Sequence, residues 1–224
     1  MRGKIIVIEG TDCSGKETQT KRLIEKLNSM HIKCRRFSFP FYDTPTGKII
    51  GGPYLGKPQI GECIFEEGAV NVDPFVASLY FAADRKYNIK KILKCLSEGY
   101  NVILDRYMYS NMAHQGGKIK EKSERYKMYK WLETLEFSLL KLPEADIKVF
   151  LHMPTEVSLK LKENRSEAAD EHEKSISHLK CAETAYVEIS ELYDFKTIEC
   201  SEMNKPRSVD DINNELFEIV KNAL

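Results

Sequence analysis

The stretch Lys4–Lys16, KIIVIEGTDCSGK, decides how the rest of the chain is read. Ile5, Ile6, Val7 and Ile8 form an unbroken apolar run. Such a run belongs to a strand covered on both faces, as in a parallel sheet. Gly10 and Gly15 then bracket a short loop that ends on Lys16. Beyond it the spacing turns helical, with Leu23, Ile24 and Leu27 on one face. Strand, Gly-x-x-x-x-Gly-Lys loop and helix together make a phosphate-binding loop. Glycines let backbone N–H groups point at phosphate oxygens, the helix N-terminus adds positive potential, and the lysine reaches the β- and γ-phosphates. The expected cradle for ATP comprises Gly10, Thr11, Asp12, Cys13, Ser14, Gly15, Lys16, Glu17 and Thr18.

The loop departs from its pattern once. A Ser or Thr that holds Mg²⁺ should follow the lysine, but Glu17 stands there and Thr18 comes one residue later. Glu17 reads either as a hard-cation ligand, direct or through water, or as an exposed first-turn glutamate favoured by the helix dipole. The second reading is preferred. Cys13 is either a thiol activated by the helix N-terminus or a small residue that fits the loop.

Outward from the loop, strands alternate with helices. Ile32–Phe39, Tyr100–Leu104, Asp146–Leu151 and Phe195–Cys200 read as further strands. Asp73–Ser97 reads as a long helix capped by Asp73, with Pro74 at its first position and Gly99 after its end. Tyr126–Leu142, Ser175–Leu192 and Val209–Ala223 have helical spacing too. Gly51–Gly68 is rich in Gly and Pro without a period and reads as a flexible surface loop, and the charged stretch 163–174 as exposed. This alternation predicts one α/β domain over 1–224, a five-stranded parallel sheet with helices on both faces. In such sheets ligands bind at the carboxyl ends of the strands.

Lys plus Arg and Asp plus Glu each number 34, so net charge does not suggest a nucleic-acid or membrane-surface partner. No apolar run reaches bilayer length. The six cysteines lack metal or redox spacing and read as reduced thiols of a cytoplasmic protein.

A phosphate cradle, a lysine and the pair Asp105–Arg106 at a strand end are the parts phosphoryl transfer needs. That reaction depends on cations, Mg²⁺ and water exclusion rather than a covalent nucleophile. Asp105 would orient Mg²⁺ through water, and Arg106 would grip an acceptor phosphate with its planar fork. The plainer alternative is a structural ion pair at the strand end.

The segments GTDCSGKETQ, FPFYDTPTG, LYFAADR and DRYMYSNMAHQG, in this order and spacing, resemble the thymidylate kinase family. These are P-loop nucleoside monophosphate kinases that move phosphate from ATP to dTMP. The resemblance implies that Asp12 contacts the acceptor's 3′-hydroxyl, Phe81 stacks on thymine and Arg85 hydrogen-bonds the base. It gives Arg106 the acceptor phosphate, and puts Ser110, Asn111 and Gln115 in the thymine pocket with Phe39 and Tyr42 near the acceptor. Lys16, Asp105, Arg106 and Arg165 would then be the catalytic set, with Arg165 in a lid over about 163–174 that closes on ATP. Glu17 and Asp105 are the metal candidates. A homodimer is also implied.

Tyr42 stands where many members carry an arginine, so acceptor charge would be met by Lys48 or an arginine of the second strand. His114 replaces an aromatic that the family uses near the sugar 2′ position. The loop lacks an arginine of its own, a pattern that goes with a basic residue in the lid, Arg165 or Lys162. Alternatives kept open are a kinase for another nucleotide and a nucleotide-binding protein with impaired catalysis.

Overall fold

Strand β1, Ile5–Gly10, is buried along its whole length and sits at the centre of a parallel sheet. Its neighbours are β3 (Asn101–Asp105) and β4 (Ile147–His152), with β2 (Cys34–Ser38) and β5 (Lys196–Glu199) at the edges, giving the order β2-β3-β1-β4-β5. The structure is a computed structural model that describes residues 2–162, 171–172 and 174–224. Alternate residues of a strand face opposite sides, and β1 divides its side chains between two cores on that basis. Ile5 and Val7 pack with residues of α3 (Pro74–Ser97), α4 (Met108–Gly116), α5 (Lys122–Glu133) and α7 (Ile176–Leu192). Ile6 and Ile8 pack on the other face against Leu23 and Leu27 of α1 (Lys16–Ser29) and Leu216 and Val220 of α8 (Val209–Ala223).

The helix signals work as read. Asp73 caps α3 by accepting from the amides of Phe75 at 2.9 Å and Val76 at 3.0 Å. Gly99 follows α3 at φ 81°, a left-handed conformation that costs glycine little. Ser175 caps α7 and Ser208 caps α8. Remaining helices are α2 (Pro45–Ile49) and α6 (Thr155–Lys162), and β6 (Ser201–Glu202) pairs with β7 (Lys205–Pro206) in a small antiparallel hairpin.

Two expectations need correction. Gly51–Gly68 is a surface loop only beyond Leu55. Ile50–Tyr54 forms a π-helical turn, and Ile50, Tyr54 and Leu55 are buried with Ala69, Val72 and Ala77. The aromatic at Tyr54 supplies an apolar anchor that the Gly- and Pro-rich composition conceals. Tyr126–Leu142 is not one α-helix: α5 ends at Glu133, and Thr134–Leu139 is π-helical.

The register brings the functional segments to one end of the sheet. Ser38 and Ile8 flank Asp105 on either side, and Gly10 lies beside Leu151. The loops after β1, β2 and β3 therefore open on one crevice.

Candidate active site

The phosphate loop is shaped by close approach. A Cβ at Gly10 would meet Ser14 Oγ at 2.5 Å and the Leu151 carbonyl at 2.7 Å, so only glycine lets the loop fold this tightly against β4. Gly15 turns into α1 at φ 79°. Thr11 Oγ1 donates to the Met153 carbonyl at 2.6 Å and accepts from the Met153 amide at 3.0 Å, which ties the loop to the end of β4. The Lys16 ammonium is buried over the loop, donating to the Gly10 carbonyl at 2.8 Å and the Thr11 carbonyl at 2.7 Å. Burial, reinforced by nearby Arg106, lowers Lys16 to about 8.

After β3 the backbone turns sharply, and Arg106 takes the left-handed φ of 68°. A non-glycine residue held there is strained, and such strain collects at functional sites. Glu9 keeps the turn in place. Its buried carboxylate accepts from the amides of Tyr107 at 2.8 Å and Ser110 at 3.0 Å, and from Ser110 Oγ at 2.5 Å. Burial pushes the Glu9 carboxyl up, against the pull of Ser110 and Arg106. The Arg106 guanidinium then bonds Asp12 at 2.8 Å, with Ser110 Oγ and the Tyr186 hydroxyl each at 3.2 Å. Burial opposes its charge, but Tyr186, Asp12 and Glu9 hold it above the usual arginine range. Asp105 pairs with Arg36 of β2, whose Nε also donates to Thr20 Oγ1 at 2.7 Å.

These groups border one cleft of about 800 Å³. Asp12, Cys13, Gly15, Lys16, Glu17 and Thr18 line it beside Asp105 and Arg106. Phe39, Tyr42, Phe81, Arg85, Ser110, Asn111, His114 and Gln115 line it as well. Gly10, Thr11 and Ser14 are not part of its wall; they shape and anchor the loop behind it. Arg165 lies outside the described residues, as do 163–170 and 173 of the expected lid, whose His172 is buried rather than exposed.

The far chamber carries polar groups that need partners. Among the described residues, Asn111 Oδ1 and both amide atoms of Gln115 are buried without a hydrogen-bond partner. Such groups cost about 1–3 kcal/mol each if left unmet. Asn111 Nδ2 is fixed by the Ser78 carbonyl at 3.2 Å, so its free oxygen has a set direction. Phe81 is half-buried, edge-on to Tyr54 at 5.7 Å. Arg85 is almost fully buried, and Glu136 takes its Nε and Nη2, each at 2.5 Å. Burial disfavours that guanidinium, but Glu136 wins and raises it.

The departures from the family pattern now have surroundings. Glu17 pairs with Lys21 one turn on at 2.7 Å, on an exposed face, and also borders the cleft. Lys57 lies over the Tyr42 ring at 5.3 Å and also lines the cleft, as does Arg36, so cations stand near the place of the missing arginine. Lys48 borders a separate depression instead. His114 presents a ring against His178, with Nδ1 at 3.2 Å from the His178 Nε2.

Glu9, Tyr186, Lys57 and His172 are site residues that sequence reasoning missed. Glu9 had a signal, a carboxylate closing an otherwise apolar buried strand. Lys57 and His172 come to the cleft, and Tyr186 to Arg106, from distant segments that only tertiary packing brings together.

Comparison with known proteins agrees with this geometry. A family model described as thymidylate kinase matches residues 8–212. The chain is 29% identical over 225 residues to a thymidylate kinase of Schizosaccharomyces pombe, covering 99% of this chain and 93% of that protein. It is 30% identical over 226 residues to a probable thymidylate kinase of Pyrococcus horikoshii, covering 100% of this chain and 98% of that one. The solved thymidylate kinase of Candida albicans, described as having broad substrate specificity, superposes with a TM-score of 0.74 at 25% identity, over 99% of this chain and 92% of that one. With its phosphate loop and the turn at Arg106 lining one cleft, the chain belongs to the thymidylate kinase family.

Proposed function

We propose that this chain transfers the γ-phosphoryl group of ATP to dTMP, giving ADP and dTDP, as one domain over 1–224. The observation that carries the reading is the continuity of the cleft. The phosphate loop lines the same cleft as Asn111 and Gln115, buried amides with unmet hydrogen bonds. An oxygen of the acceptor phosphate attacks the γ-phosphorus, and the bond to the bridging oxygen of ADP breaks. The charge spreads over the transferring group, so placed cations do most of the work.

Lys16 faces the β- and γ-phosphates. Arg106, held from three sides, is oriented in advance for the acceptor phosphate, and Asp12 takes the sugar hydroxyl. Asn111, Gln115 and the outer edge of Arg85 read the base, and Phe81 stacks on it. Arg165 is assigned to ATP by family resemblance alone. The donors fit Mg²⁺ in part: Asp105 is a hard oxygen donor on the cleft wall beside the phosphate loop, while Glu17 is turned toward Lys21. Mg²⁺ bound with ATP would supply charge neutralisation, and Asp105 would hold it through water. The kinase reading is further supported by Lys57, a cation over the Tyr42 ring that also lines the cleft. A homodimer through α3 is supported by Phe75, Val76 and Leu79, which are 41%, 44% and 50% exposed. No described helix is long and apolar enough to cross a membrane; a cytoplasmic location is part of the proposal.

A second reading, a kinase for another nucleotide, is favoured only by the histidine at 114. Both are tested by ADP formation from Mg²⁺-ATP with dTMP, dUMP, dCMP, dGMP, dAMP and UMP in parallel. Turnover with dTMP well above the others supports the proposal. A higher rate with another acceptor would keep the kinase and reassign the chamber.

A further inference from the structure

The chain has five histidines, and three of them meet beside the cleft, with His114 and His172 on its wall. His114 comes from α4, His178 from α7, and His172 from the segment preceding α7. One nitrogen of each lies within 4.8 Å of those of the other two. The His114 and His178 nitrogens are 3.2 Å apart, and the His172 and His178 rings are centred 4.5 Å apart. Zinc bound to imidazole at about 2.0–2.1 Å in a tetrahedron separates its ligand nitrogens by about 3.3 Å, so the trio needs only small adjustments to share one ion.

We propose that His114, His172 and His178 form a binding site for a divalent transition metal of the zinc class. Imidazole nitrogen suits that class and not Mg²⁺, which takes oxygen. Imidazole ligates as the neutral ring, and His172 and His178 are buried beside the half-buried His114. The Tyr54 hydroxyl lies 3.1 Å from His172 Nε2, as an outer partner that orients a metal-bound ring. Lys118, 3.4 Å from that hydroxyl, opposes a dication, but burial lowers it to about 8, and the Ala69 and Val72 carbonyls accept from it at 3.0 and 2.9 Å. Three protein ligands leave a fourth position for water or for an oxygen of a molecule in the cleft, which His114 and His172 both line. The ion would pin the segment at His172 to α4 and α7. The site does not depend on which nucleotide the cleft accepts.

The test uses the untagged full chain, without nucleotide and with Mg²⁺ in excess. After incubation with zinc chloride and gel filtration, elemental analysis should find on the order of one zinc per chain. His178→Gln and His114→Phe should each abolish retention, His31→Gln, on a remote exposed turn, should keep it, and Tyr54→Phe should weaken affinity by about tenfold or more. Cobalt chloride added to the wild-type chain should give the intense visible absorption of a four-coordinate ion, a readout that needs no variant. A wild-type chain that retains no zinc, a weak six-coordinate cobalt spectrum, or zinc retained equally by His178→Gln would overturn the proposal and leave a hydrogen-bonded trio of neutral imidazoles.

Discussion

Lys16 illustrates how one side chain ties burial to function. Its ammonium is enclosed by the Gly10 and Thr11 carbonyls, which keep it aimed across the loop. Lys16→Ala should lower turnover on the order of a hundredfold or more, because the cation acts on charge that develops only in the transition state. Near-normal turnover of that variant would remove Lys16 from catalysis. Burial lowers the lysine to about 8, so the nucleotide-free chain loses this positive charge as pH rises through that value. ATP affinity should be full below it and fall above it. Direct titration of ATP binding between about pH 7 and pH 9.5 checks this, and a flat profile would contradict it. Lys16 is legible from the motif alone. Glu9 is not, although it accepts the amides that shape the turn at Arg106. Glu9→Ala would leave those two buried N–H groups unmet, at about 1–3 kcal/mol each, and urea unfolding should show the loss.

Among the elements, α3 joins fold and site most closely. Asp84, Arg85 and Asn88 are buried along one face of it, an unusual density of polar side chains for a core-facing helix surface. The family resemblance assigns Arg85 to the base, and packing explains how its charge survives burial. Glu136, from the π-helical turn after α5, is fully buried opposite it. Removing one partner of a buried pair is far more damaging than replacing both. Glu136→Ala should therefore destabilise the chain by about 3–5 kcal/mol, whereas Arg85→Met with Glu136→Leu should recover most of that loss. Equal destabilisation of both in urea unfolding would contradict this. The five strands and α3 were legible from apolar runs and caps, because those signals are local. The break between α5 and its π-helical continuation was not, since apolar spacing runs on through both. Gly51–Gly68 misled for the opposite reason: its composition is loop-like, yet Tyr54 buries completely and anchors it.

For the molecule as a whole, parallel order brings the ends of β1, β2 and β3 together, and the cleft follows from that topology. The sequence motifs name most of its wall, because three of the four lie directly after one of those strands and the fourth lies on α3. Lys57 and His172 reach it, and Tyr186 reaches Arg106 behind it, through long-range contacts that no local pattern encodes. Association should likewise follow from the exposed apolar side chains of α3: sedimentation should find a dimer, and Leu79→Lys should shift it toward monomer. A monomer at every concentration would contradict the dimer. The central claim is transfer of phosphate between two nucleotides in this cleft. ³¹P NMR of the chain with Mg²⁺-ATP and dTMP tests it most directly. The account predicts ADP and dTDP appearing in equal amounts as ATP and dTMP disappear; ADP formed without dTDP, or no change in either nucleotide, would contradict it.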